Sequence, residues 1–282
     1  MTYLRALLVC SLALAGLTAC DRNRTHPTRM EWGDAAVAPP LDCVPNLDGR
    51  IEAFELAPTL DVDVAYLFSP PGEERSVDLV GLIGSDGTQS WDLATDFASD
   101  RVVRTRAVAL SERWYAASFP GGEFATPLDA ESGVDGVYRH DDDGLYLLGV
   151  ASREMDPPAG RTLLVYDTPI LVFRLPLEPG LEWVSTGEIR DGLLRGLPYA
   201  GRDVYESRVQ AAGTLRLPDL SFTQAMRVAT HVTVSPAAGM AVSRRQSSFV
   251  FECFGEVARA TSREGETRDD FETAAELRRL GL

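Results

Sequence analysis

The chain has 282 residues, 42 of them acidic and 27 basic, every basic one being arginine, and its formal net charge is −15. So acidic a chain argues against a nucleic-acid role, because nothing offsets phosphate repulsion. The length suits one large or two small domains with a real core, and the acidity is spread along the chain, as it is on a solvated surface.

The first twenty residues are "MTYLRALLVCSLALAGLTAC". Arg5 precedes an apolar run from Ala6 to Leu17, and small residues follow, which is the order of a secretory signal. The run is shorter than the roughly 20 apolar residues of a membrane-spanning helix, so cleavage is expected. The segment "LTAC" (Leu17 to Cys20) resembles the lipobox of bacterial lipoproteins. That resemblance implies that the Cys20 thiol takes a diacylglycerol and that residues 1–19 are removed. It also implies a domain held at the cell envelope, on the inner or outer membrane, facing the periplasm or the cell surface. Two or three acyl chains, at about 0.8 kcal/mol per buried CH2, anchor a protein stably. Residues 20–40 then form a polar, proline-containing tether without periodicity.

Of the four cysteines, Cys10 leaves with the signal and Cys20 carries lipid. Cys43 and Cys253 remain, and in an oxidising compartment they are expected to pair. Two separately buried thiols are the alternative.

Residues 41–282 read as a β-rich domain, with a division near 176 left open. The stretch "VPNLDGRIEAFE" has the outline of a calcium loop: Asn46, Asp48, Arg50 (through its carbonyl), Glu52 and Glu55 fall at ligand positions, and Gly49 falls at the sharp turn. Val44 stands where the first carboxylate belongs, and no helix precedes the loop. The favoured reading is an Asp-Gly turn followed by a short helix, with no cofactor; a weak calcium site is the alternative.

Strands are predicted in "DVDVAYLF", "DRVVRTRAVAL", "RWYAASF", "DGVYRH", "GLYLLGVAS", "RTLLVYDTPILVFRL" and "LEWVSTGEI". All are short, rich in β-branched and aromatic residues, and separated by Gly, Pro, Asp and Ser. Longer strands follow in "DVYESRVQAAGTLRL", "AMRVATHVTVS" and "GMAVSRRQSSFVFECFGEVARATS", whose partial alternation suits sheets with one wetted face. Only the tail "DDFETAAELRRL" has helical periodicity. Asp269 or Asp270 would cap it, and Phe271, Ala274, Leu277 and Leu280 would face inward. The fold class is therefore mainly β and antiparallel, with a short C-terminal helix.

From Pro176 onward, "LPLEPGLEWVSTGEI", "VQAAGTLRLPDLSFTQAMRVATHVTV" and "RRQSSFVFECFGEVARATS" resemble a layout of secreted bacterial proteins of unknown function. Those proteins, like the lipoprotein-carrier group, use a curved antiparallel sheet, a half-barrel closed by helical segments. The resemblance rests on the Gly180–Trp183 turn, the Gly213–Pro218 strand end and a long strand through Cys253. It implies a half-barrel, with a sandwich as the other arrangement of such strands.

Residues for catalysis are scarce. His26 lies in the tether, His140 opens the hairpin tip "RHDDDGLY", and His231 alternates with valines in a strand. No G-x-S-x-G elbow occurs, since Ser85 in "LIGSDG" has the wrong spacing, and no two histidines have zinc-ligand spacing. These features imply a membrane-anchored envelope lipoprotein, not an enzyme, that binds a hydrophobic ligand or lipid. A structural or assembly lipoprotein presenting a surface to an envelope protein is the alternative, ahead of a hydrolase using paired carboxylates.

Overall fold

The computed structural model describes residues 43–131 and 133–281. A one-turn helix, α1 (Ala53–Leu56), precedes β1 (Asp63–Phe68). Three short strands follow in an excursion: β2 (Arg75–Ser76), β3 (Leu82–Ile83) and β4 (Gln89–Asp92). The chain returns in β5 (Arg101–Arg106) and β6 (Val108–Ala109), then runs through β7 (Phe124–Pro127), β8 (Val134–Asp141), β9 (Gly144–Ser152) and β10 (Leu163–Arg174). The longest strands come next: β11 (Glu182–Leu194), β12 (Leu197–Arg216) and β13 (Ser221–Pro236). β14 (Val242–Phe251), β15 (Gly255–Ser262) and β16 (Thr273–Leu280) complete the fold.

From β6 to β16 each strand pairs with the next in a single antiparallel meander, which runs through residue 176 without a break. β1 inserts between β16 and β5, which places β5 and β6 at the two ends of the sheet. Those ends are consecutive in the chain and β5 comes up against β7, so the sheet curls into a nearly closed barrel. Closure of this kind removes most of the exposed edge that an open sheet would present. Bulges in β10, β11, β12, β14–β15 and β15–β16 supply local bends.

Alternation decides which face each side chain takes. Along β13, Met226, Val228 and Val232 are buried on the concave face, while Arg227 and His231 point to the convex one. The concave apolar cluster joins Trp183, Val209, Val228 and Val250 to Ile51 and Leu56 of the N-terminal segment, which plugs this side of the barrel. The convex face is covered twice. The excursion through β2–β4 lays Leu79, Trp91 and Leu93 over Phe249, Leu277 and Phe271. The segment between β6 and β7 lays Tyr115 and Phe119 over Val137 and Leu148. β4 pairs in parallel with β12 beside Gly213, where a Cβ would overlap the Gln89 carbonyl.

Three sequence expectations need correction. "DDFETAAELRRL" is not a helix: Thr273–Leu280 is the strand β16, bonded to β15 on one side and to β1 and β2 on the other. Sheet pairing with three neighbours outweighs the modest helix propensity of Ala, Glu and Leu, and Arg278 and Arg279 alternate across the sheet. "RWYAASF" is not a strand either. It lies beside and within the short 3-10 turns Leu110–Glu112 and Ala116–Ser118, which let Tyr115 and Phe119 turn inward. The long strand through Cys253 is two strands, β14 and β15, joined at a turn in which Cys253 has φ 65°.

Candidate functional site

The N-terminal segment is fixed to that β14–β15 turn. Cys43 and Cys253 form a disulfide across a sequence separation of 210, with Cα atoms 5.6 Å apart. Beside it, Glu252 Oε2 accepts the backbone N–H groups of Asn46 and Leu47 at 2.7 and 2.8 Å, and Cys253 N donates to the Glu55 carbonyl at 2.8 Å. Ile51 pairs with Leu177 through two backbone hydrogen bonds. The plug is thus held by one covalent and several polar contacts.

The residues of the calcium outline lie in this plug, and several of their side chains are engaged locally. Asn46 Oδ1 accepts Asp48 N at 2.8 Å and Asp48 Oδ1 accepts Arg50 N at 2.9 Å, two successive Asx turns about Gly49. Glu55 Oε2 accepts Glu52 N at 2.9 Å, at the start of α1. Glu52 pairs with Arg50 at 3.5 Å. Burial pushes the Glu55 carboxyl above its usual range, with the nearby Glu252, Asp48 and Glu52 adding to the shift against the Glu52 N–H. Among the described residues, no three His, Cys, Asp or Glu side chains group as metal ligands would. Asp48 and Gly49 form a bend, and α1 follows it. Cys20 lies outside the described residues.

Behind the plug lies a cavity of about 420 Å³. Its walls come from both sides of the barrel seam, Thr105 and Ala107 at β5 and Phe124, Thr126, Pro127 and Leu128 at β7, and from β1, β8, β9, β10, β15 and β16. The plug contributes Leu56 to Thr59, and the disulfide turn contributes Cys253 and Phe254. The volume falls within the roughly 300–1,000 Å³ of small-molecule sites. Most of the lining is apolar or aromatic, but β15 and β16 bring three charges to it: Glu256, Arg259 and Arg278.

These three form a compact network. Glu256 Oε1 accepts a hydrogen bond from Arg278 Nη2 and lies 3.1 Å from Arg259 Nε. Ser248 Oγ donates to Glu256 Oε2 at 2.9 Å, and Tyr66 Oη donates to the Glu256 carbonyl at 3.0 Å. The Arg278 guanidinium sits 5.1 Å from the Tyr66 ring centroid, within cation–π range. Burial would raise the Glu256 carboxyl, yet the two arginines and the Ser248 and Arg278 hydrogen bonds hold it below the usual carboxylate range. Glu256 is therefore ionised at neutral pH. Burial pushes the hydroxyls of Tyr66, Tyr138 and Tyr205 upward, so these remain neutral donors and acceptors.

Further along the concave face, Tyr166 Oη donates to Asp203 Oδ2 at 2.5 Å. His231 does not enter the lumen; its Nδ1 lies 2.9 Å from Glu206 Oε2 on the convex face. His140 ends the β8–β9 hairpin beside Asp141, as the "RHDDDGLY" tip implied. The sequence reading missed the lumen charges. Their one signal was the "GEVAR" and "LRR" interruptions of otherwise apolar strands, whose meaning depends on the barrel that closes around them.

Comparisons with protein-family models, curated proteins and solved structures find no match.

Proposed function

We propose that the protein is a lipid-anchored envelope protein whose barrel lumen binds a small hydrophobic ligand. The observation that carries the binding half is the 420 Å³ cavity, walled mostly by apolar and aromatic side chains and bordered by the plug. The anchoring half rests on Cys20 in the Leu17–Cys20 motif. Cys20→Ala tests the anchor: membrane fractions should lose the protein or retain it uncleaved, and unchanged membrane association of a processed chain would contradict acylation there. Val172→Trp tests the site by filling the cavity. It should abolish the fluorescence gain of N-phenyl-naphthylamine seen with the unaltered chain, and an undiminished gain would contradict binding in the lumen.

One observation favours the alternative, a structural or assembly lipoprotein. Val80, Leu82 and Ile83, around the β3–β4 hairpin, are exposed together on the convex excursion. Crosslinking in intact envelopes through Leu82 should then give one defined partner, and its absence would count against that role.

A further inference from the structure

We infer that the lumen ligand is an anionic amphiphile, a single apolar chain ending in a carboxylate, with its head on Arg259 and Arg278. This rests on the lumen-binding reading above and adds the chemistry of the ligand.

Among the charged side chains that line the cavity, two are arginines and one is a glutamate. The lining therefore carries one more positive charge than negative. Glu256 is fully engaged, since Arg278, Arg259 and Ser248 all act on its carboxylate. The arginines are not. Among the described residues, Arg278 Nε and Arg259 Nε are both buried N–H groups without a hydrogen-bond acceptor. Arg259 Nε is close to Glu256 Oε1, but off the line of a hydrogen bond. Glu276 also acts on Arg278 from two residues along β16, yet it does not line the cavity.

A buried guanidinium N–H left without an acceptor is costly. A carboxylate matches the planar fork of a guanidinium and accepts charge-assisted hydrogen bonds from it. The charges come from β15 and β16, whereas Phe124, Leu128, Leu145, Val172 and Phe254 supply apolar wall from β7, β9, β10 and the disulfide turn. One region of the cavity suits an anion, and the rest suits a hydrocarbon chain. The volume lies near the lower end of ligand sites, which favours one chain over two.

Equilibrium dialysis of the full chain in lipid nanodiscs tests this, with empty nanodiscs as the blank. The probes are decanoate, decanol and decylammonium, which share a chain and differ in head charge. Decanoate should bind about tenfold or more tightly than decanol, and decylammonium should bind more weakly than either. Arg259→Gln should weaken decanoate about tenfold and leave decanol unchanged. Glu256→Gln, which removes the one carboxylate from the lining, should instead tighten decanoate. Opposite responses from adjacent variants cannot come from general misfolding. Equal binding of decanoate and decanol overturns the head assignment while leaving the lumen-binding function standing. If none of the three probes binds, both fall.

Discussion

Replacing Cys43 and Cys253 together with serine removes the disulfide that cross-links the plug to the far end of the barrel sequence. The bridge spans a sequence separation of 210, and the chain-entropy model assigns a closed loop of that size about 5 kcal/mol of stabilisation. Native contacts around it persist in the variant, because Glu252 still accepts Asn46 and Leu47 and Ile51 still pairs with Leu177. The change therefore acts mostly on the unfolded chain, and the barrel should still form. At roughly 2–4 °C per kcal/mol for a domain of this size, the melting temperature should fall by about 10–20 °C. Urea unfolding followed by tryptophan fluorescence, with far-UV circular dichroism as a second probe, gives the free energy directly. A loss below about 1 kcal/mol would refute the reasoning, since the bridge would then constrain almost nothing. The same variant should also admit an apolar fluorescent probe to the lumen faster, because the turn that carries Cys253 and Phe254 forms part of the wall.

Asp100→Ala should destabilise the fold by about 3–5 kcal/mol in thermal melts, because it leaves buried charges uncompensated. Asp100 accepts hydrogen bonds from both Arg75 and the fully buried Arg279. Glu256→Gln should lower stability at neutral pH, and the difference from the unaltered chain should close in acid. The folded state holds this carboxyl below its ordinary value of 4.5, so its contribution is present above that pH and is lost as pH falls through the folded value. Calcium at millimolar concentration should leave the melting temperature unchanged, because Asn46, Asp48 and Glu55 already accept backbone N–H groups in the plug. A calcium-dependent rise of several degrees would restore the metal reading.

The strands were legible wherever alternation and turn residues agreed. β13 showed its faces in Val228, Val232 and His231, and the β8–β9 hairpin forms at the "RHDDDGLY" tip, with its turn at Asp142-Asp143 where the Asp-Gly pair pointed to Asp143-Gly144. Cys43 and Cys253 were legible by elimination, because any other pairing would have required a cysteine assigned to the signal or the lipid. The tail was not. "TAAELRRL" carries residues suited to a helix, and only its neighbours β1 and β15 make it a strand. That pairing puts Arg278 into the lumen beside Glu256 and Arg279 against the Leu93 carbonyl, on opposite faces of one sheet. A helix would have set the two about 100° apart around its axis rather than on opposite faces. The candidate site was hidden for the same reason. Its charges come from adjacent strands and most of its apolar wall from strands far earlier in the chain, so nothing local marks it. The excursion through β2–β4 was equally opaque, since its short strands depend on the convex face they cover.

Native mass spectrometry of the full chain purified from its native host is the most direct test of ligand binding in the lumen. The account predicts a one-to-one adduct with the mass of a single-chain amphiphile, lost in Val172→Trp. A ligand-free chain that also takes up no added amphiphile would contradict it.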